Sequence, residues 1–290
     1  MRIGIDVGGT TVKIGYVDNH KIINKFEIKT NKETLFEDIY KAIKDAKNIE
    51  FIGFGFPGHV KDGYIEKLPN IGIENVDVIK EFSKYLPNVK IMCTNDANAA
   101  ALGEVIASNK YKSSYFVTLG TGVGGGYIYD GKIVNGFNAN AGEIGHMFID
   151  PFNNFKCGCG RSGCLETVSS ATGITRLARV NKDKFKTSLN FDNLSCKDIF
   201  DKAKENDELA LYVVDTASKY LGIALANIAV TCDVECFIIG GGVSRAGDFL
   251  IENIKKHYLN YCNYASKNIP IVLSTIKNDA GLLGASYLDE

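Results

Sequence analysis

Asp6-Val-Gly-Gly-Thr10-Thr11-Val-Lys-Ile-Gly15-Tyr16, followed by Lys21-Ile22, has a counterpart 111 residues downstream. There the matching positions read Gly120-Thr121, Gly126-Tyr127 and Lys132-Ile133. Each copy reads as strand, glycine turn, strand, polar turn, strand. Asn19 and Asp130 sit in the polar turns, where hairpin chemistry favours them. A hairpin unit used twice predicts two domains of similar plan.

Around these copies, short apolar runs alternate with helical patterns. Residues 51–56, 89–93, 115–119 and 236–239 have strand character. Thr34-Leu-Phe-Glu37 is a capping-box pattern, predicted to open a helix with Leu35, Ile39, Ile43 and Ala46 on one face. A longer helix is expected to carry Leu211, Val214, Leu221, Leu225 and Ile228. The mixture predicts an α/β protein. The polar stretch 108–114 is the expected boundary, giving lobes 1–112 and 113–290. A last helix over about 279–290 is expected to pack back on the first lobe.

The formal net charge of -1 offers no basic balance for nucleic acid. Met1-Arg2 leads straight into the strand-like Ile3-Gly4-Ile5-Asp6, without the apolar core of a signal peptide. No uninterrupted apolar stretch reaches the ~18–20 residues of a membrane span. A cytoplasmic protein with reduced thiols is expected, despite eight cysteines. Cys93, Cys196, Cys232, Cys236 and Cys262 are scattered and read as small buried hydrophobes.

Glycines in the first loop let the backbone N–H groups of Gly8 and Gly9 approach anionic oxygens, and Thr10 and Thr11 add hydroxyls. Asp6 stands where a nucleotide-bound Mg²⁺ needs an oxygen or a held water. Leu119-Gly120-Thr121-Gly122-Val-Gly124-Gly-Gly126 is a second such loop. Neither ends in the Gly-Lys-Ser/Thr of a Walker motif, and the second runs into a β-rich stretch where a dinucleotide fingerprint needs a helix. As a pair they suggest a nucleotide held between two domains. Gly240-Gly241-Gly242 fits a turn against a purine or ribose, and equally a plain strand–helix turn.

Thr94-Asn95-Asp96-Ala97-Asn98 opens an Ala-rich helix. Either Asn95 or Asp96 suits an N-cap. Asp96 also suits a general base that takes the proton of an alcohol attacking phosphate. Both readings hold together if Asn95 caps and Asp96 projects.

Gly142-Glu143-Ile-Gly-His146 precedes Cys157-Gly-Cys159-Gly-Arg-Ser-Gly-Cys164-Leu-Glu166. One imidazole and three thiolates fill a tetrahedral zinc shell, and four protein ligands leave no open position. His146, Cys157, Cys159 and Cys164 are therefore expected to bind a structural zinc. Glu143 and Glu166 either accept hydrogen bonds from sugar hydroxyls beside that rigid loop or are solvated surface carboxylates. The second nitrogen of His146 is free to meet a hydroxyl.

In this order the motifs resemble the ROK family (repressor, open reading frame, kinase) of the actin-like ATPase superfamily. Asp6-x-Gly-Gly-Thr10 resembles its first phosphate motif, Gly120-Thr-Gly-x-Gly-Gly-Gly126 the second, and Gly240-Gly-Gly242 the adenosine motif. Asn95-Asp96, Glu143-x-x-His146 and the cysteine run through Glu166 match the family signature. The resemblance implies a two-lobed, ribonuclease H-like fold with ATP and sugar in the interdomain cleft. It implies Asp96 as catalytic base, with Gly58, Asn70, Asn95, Glu143, His146 and Glu166 around the sugar. It implies Asp6, Gly8, Gly9, Thr10, Thr11, Gly120, Thr121, Gly122, Gly124, Gly241 and Gly242 around Mg²⁺-ATP.

Glu166-Thr-Val-Ser-Ser-Ala-Thr-Gly-Ile looks closest to the glucokinase branch. Thr11 replaces the Lys of many relatives, and Ile-Gly-Ile-Glu after Asn70 lacks the Trp often found in glucokinases. The expectation is a homodimeric kinase acting on the 6-hydroxyl of a hexose, glucose first and N-acetylmannosamine second. A sugar-sensing regulator is the non-enzyme alternative, but the phosphate strand beginning at Ile3 leaves no place for a preceding DNA-binding domain.

Overall fold

The apolar alternation of residues 2–29 folds into a meander of β1 (Arg2–Val7), β2 (Thr11–Asp18) and β3 (Lys21–Lys29). The computed structural model describes residues 1–150, 152 and 155–290. After the meander come α1 (Leu35–Ile43), β4 (Phe51–Phe56), the hairpin β5 (Tyr64–Leu68) and β6 (Ile73–Asp77), and α2 (Val78–Ser83). Then β7 (Lys90–Asn95) runs directly into α3 (Asp96–Ser108). The second meander is β8 (Ser114–Leu119), β9 (Val123–Tyr129) and β10 (Lys132–Ile133). It is followed by α4 (Glu166–Ser169), α5 (Ala171–Asn181), α6 (Cys196–Lys204) and α7 (Glu208–Cys232). The chain closes with β11 (Cys236–Gly240), α8 (Asp248–Tyr261), β12 (Ile271–Leu273) and α9 (Ala280–Ala285).

The repeated hairpin is visible in the sheets. One has the order β3-β2-β1-β4-β7 and the other β10-β9-β8-β11-β12. In the first, β2 is antiparallel to β1 while β4 and β7 add in parallel. In the second, β9 and β10 are antiparallel and β11 and β12 parallel. Asn19 and Asp130 both adopt positive φ, the conformation that the hairpin turns require.

The chain divides into two compact units. One comprises 1–116, 126–142 and 275–290; the other comprises 117–125 and 143–274. The first unit's core gathers Ile3, Ile5, Ile14, Ile39, Ile52, Phe54, Phe56 and Phe82, all fully buried. Against it α9 packs backbone on backbone. A Cβ on Gly4 would overlap the Leu282 carbonyl, one on Gly53 that of Ala285, and one on Gly103 that of Ala280. Any side chain at these positions would force α9 off the sheet and off α3.

In the second unit α7 is long and apolar enough to span a membrane, with a mean hydropathy of 1.3. Its Val213, Val214, Ala217, Leu221, Leu225 and Ile228 are nevertheless buried, as a core helix requires. Leu211, expected on that face, is exposed instead.

The capping box at Thr34 does not form. Thr34 makes no side-chain cap bond; its hydroxyl donates to Asp38 Oδ2 at 2.6 Å, and Glu37 pairs with Lys41. Both side chains that the box needs are thereby engaged elsewhere. Ala46 lies beyond the end of α1, in a turn where its N–H donates to Ile43 O.

Candidate active site

In the first unit the glycine loop between β1 and β2 is held by its own neighbours. Gly8 N–H donates to Thr11 O at 2.9 Å, Thr30 N–H to Thr10 O at 2.9 Å, and the Thr30 hydroxyl to Gly8 O at 2.7 Å. Gly9 and Thr10 are exposed on the outside of this turn, and Thr11 and Gly8 are half-buried. Asp6 is the register partner of Lys13 across the hairpin, and Lys13 Nζ lies 3.5 Å from Asp6 Oδ2. Burial pushes the Asp6 carboxyl above the usual carboxylate range, and Lys13 partly offsets this. The sequence reading missed Lys13. Its signal was there, because a turn centred on Gly9-Thr10 sets residues 6 and 13 opposite each other.

Asn95 and Asp96 stand at the junction of β7 and α3. The Asn95 side chain accepts from Ala97 N–H at 2.8 Å and Asn98 N–H at 3.3 Å, so Asn95 is the cap. Its amide donates to Gly58 O at 3.1 Å. Gly58 has φ +151°, and a Cβ there would overlap Leu68. Asp96, the first helical residue, is half-buried and accepts from Ala97 N–H at 2.8 Å. Asn70 is exposed, and its carbonyl lies 3.7 Å from where a Gly9 Cβ would be. The structure therefore brings Gly58 to Asn95 and Asn70 to the first glycine loop.

The second unit carries the other predicted groups. Glu143 opens a 3-10 turn, Ile144–His146, and both Glu143 and His146 are half-buried. The donor atoms of His146, Cys157, Cys159 and Cys164 all lie within 4.8 Å of one another. Tetrahedral zinc with sulfur at about 2.3 Å needs about 3.8 Å between sulfurs and about 3.6 Å between sulfur and nitrogen. Cys159 Sγ is 3.7 Å from Cys164 Sγ, and Cys157 Sγ is 3.5 Å from His146 Nδ1. The donor set and its spacing fit that ion. With Nδ1 turned to the sulfurs, His146 keeps Nε2 for another partner.

Glu166 follows Cys164 by two positions. Its Oε2 accepts from Val123 N–H at 3.0 Å, and its Oε1 lies 3.6 Å from Cys157 Sγ. Gly120 and Thr121 form the tip of this second glycine loop, Gly124 lies in β9, and Gly120 O accepts from Ala171 N–H at 2.9 Å. Gly241, at φ +83°, packs on the Leu119 backbone where a Cβ would lie 2.5 Å from the carbonyl. No described group lies within 4 Å of a Cβ built on Gly120 or Gly242, so both glycines border open space.

The ROK family model matches residues 2–290. The chain belongs to the ROK family. It is 40% identical to a glucokinase of Halalkalibacterium halodurans over a 310-residue alignment covering 99% of this chain and 94% of that protein. An N-acetylmannosamine kinase of Salmonella typhimurium is 28% identical, with 99% and 97% covered. The crystal structure of a ROK family glucokinase from Streptomyces griseus, in complex with glucose and AMPPNP, superposes with a TM-score of 0.80. That protein is 28% identical, with 99% of this chain and 98% of that chain covered. The fold is thus the two-lobed actin-like ATPase fold of ROK sugar kinases.

Proposed function

We propose that this ROK sugar kinase transfers the γ-phosphate of ATP to the 6-hydroxyl of glucose. The observation that carries the substrate is the 40% identity, over 99% of the chain, to a glucokinase. The chemistry rests on Asp96. Asn95 caps α3, and Asp96, the first helical residue and half-buried, offers the carboxylate that acts as general base. It accepts the proton of the 6-hydroxyl as that oxygen bonds to the γ-phosphorus and the bond to the ADP oxygen breaks. Little covalent work falls to the protein in such a transfer, so the other residues position and neutralise.

Asn95, Gly58, Asn70, Glu143, His146 and Glu166 are assigned to the sugar hydroxyls. Gly8, Gly9, Thr10, Thr11, Gly120, Thr121, Gly122 and Gly124 are assigned to the phosphates, and Gly241 and Gly242 to the adenosine. Asp6 offers the hard oxygen that suits Mg²⁺, which when bound to ATP neutralises the transferring phosphoryl group. His146, Cys157, Cys159 and Cys164 would hold zinc, which supplies rigidity to the loop bearing Glu143 and Glu166. A cytoplasmic homodimer completes the reading on the family resemblance alone.

A panel of hexoses in an ADP-release assay tests the proposal. Turnover with glucose well above the ATP-only rate is expected. A preference for N-acetylmannosamine would favour the second reading, supported by the Salmonella relative. No stimulation by any sugar would sink both.

A further inference from the structure

The second glycine loop, 119–126, has an internal bond of its own, Gly120 N–H to Gly122 O at 2.9 Å, but beyond it is held differently from the first. Val123 is pinned on both sides by the segments that carry the metal ligands. Its N–H donates to Glu166 Oε2 at 3.0 Å. Its carbonyl lies under Gly145, between Glu143 and His146, so closely that a Cβ there would overlap it. Gly122 adjoins the same carboxylate, since a Cβ on it would fall on the same Glu166 oxygen and displace that side chain. The other oxygen of Glu166 lies 3.6 Å from Cys157 Sγ. Just past Cys164, Thr167 N–H and hydroxyl both donate to the Cys164 carbonyl, at 3.0 and 2.7 Å, fixing the start of α4 and with it the Glu166 side chain.

We propose that Glu166 is a positioning residue for the nucleotide: through Val123 N–H it makes the shape of the second phosphate loop depend on the metal-binding knuckle. This rests on the kinase reading and adds a second role to a carboxylate so far assigned only to the sugar. The physical basis is a charge-assisted hydrogen bond to a backbone N–H in a loop whose function is to aim other N–H groups. If the carboxylate is removed or displaced, Val123 is freed and the loop samples conformations that do not converge on phosphate. Because both sides of the clamp belong to the knuckle, losing the metal and losing the carboxylate act on the same contact.

The test measures binding of AMPPNP with Mg²⁺ by calorimetry on the full chain, without sugar, so that the sugar role of Glu166 does not enter. Zinc-loaded Glu166→Ala is expected to bind about tenfold more weakly than the unaltered protein, a loss typical of one charge-assisted hydrogen bond. Glu166→Gln, whose amide oxygen still accepts from Val123, should recover most of that loss. Gly122→Ala, which displaces the carboxylate without removing it, should weaken binding in the same direction. Stripping zinc from the unaltered protein should reproduce the loss, and stripping it from Glu166→Ala should add little, as expected for two changes on one contact.

Unchanged affinity in Glu166→Ala would overturn the proposal. So would equal, additive losses from zinc removal in the two proteins. Should the stripped protein unfold, the zinc-loaded Ala, Gln and Gly122→Ala series decides alone. Failure of the unaltered, zinc-loaded protein to bind AMPPNP at all would sink the kinase reading, and this inference with it.

Discussion

The two glycine hairpins have the same strand order and are held by different means. In the first unit, Gly8, Thr10 and Thr11 are braced by backbone bonds within the hairpin and by Thr30, one residue past β3. In the second, Val123 is braced by Glu166 and Gly145, both on the knuckle segments. The third strand explains the contrast. β3 runs over nine residues and reaches back beside the first loop, whereas β10 has two and stops short of the second. The short β10 leaves the second loop without a third-strand neighbour, and the cysteine-rich segment supplies a brace at Val123. The first loop should therefore be autonomous and the second conditional.

The largest effect should separate chemistry from positioning. Asp96→Ala in the first unit is expected to lower kcat by about 10²–10⁴-fold while glucose binding stays measurable by calorimetry. Retained turnover would remove Asp96 from its role and shift the weight of catalysis to positioning alone.

Next comes a pair of carboxylate clamps, one per unit. Glu104 on α3 is 1% exposed and accepts from Thr275 N–H at 2.9 Å, Thr275 hydroxyl at 2.9 Å and Ile276 N–H at 3.2 Å. Glu104→Ala strands these donors and should cost about 3 kcal/mol of stability. Its clamp secures the approach to α9, so a lowered thermal midpoint with near-normal AMPPNP affinity is expected. The reverse pattern would mean that the two carboxylates do the same job.

The smallest effect is pH-dependent. Burial raises the Asp6 carboxyl above its unfolded value, so its ionised form disfavours the fold. That penalty is absent at pH below the unfolded value and grows as pH rises through the folded one. Asp6→Asn should therefore be more stable than the unaltered protein at pH 7 and no more stable at pH 3, while losing activity through weaker Mg²⁺-ATP binding. Equal stability differences at both pH values would contradict the burial argument.

Much of this was legible because it resides in short patterns. The paired hairpins, the Asn95-Asp96 junction and the Cys/His spacing are local, and local chemistry fixes them. What was not legible depends on backbone partners or on distant chain. Val123 N–H has no side-chain signature, so its bond to Glu166 could not be read. Glu104 lies in an Ala-rich helix, and nothing near it in sequence shows that residues 275–276 return to cover it. Gly4, Gly53 and Gly103 gain meaning only when α9 arrives from the far end of the chain. The Thr34 box failed because Asp38, one residue past the expected partner, competed for the hydroxyl.

The difference between the loops is tested most directly by amide hydrogen exchange on the zinc-loaded and zinc-stripped protein. Peptides covering Val123 should lose protection by at least about tenfold when zinc is removed, because the Glu166 acceptor is released. Peptides covering Gly8 should exchange at the same rate in both forms. Equal loss at both loops, or protection of Val123 that survives zinc removal, would contradict the claim that one glycine loop is self-braced and the other is held by the knuckle.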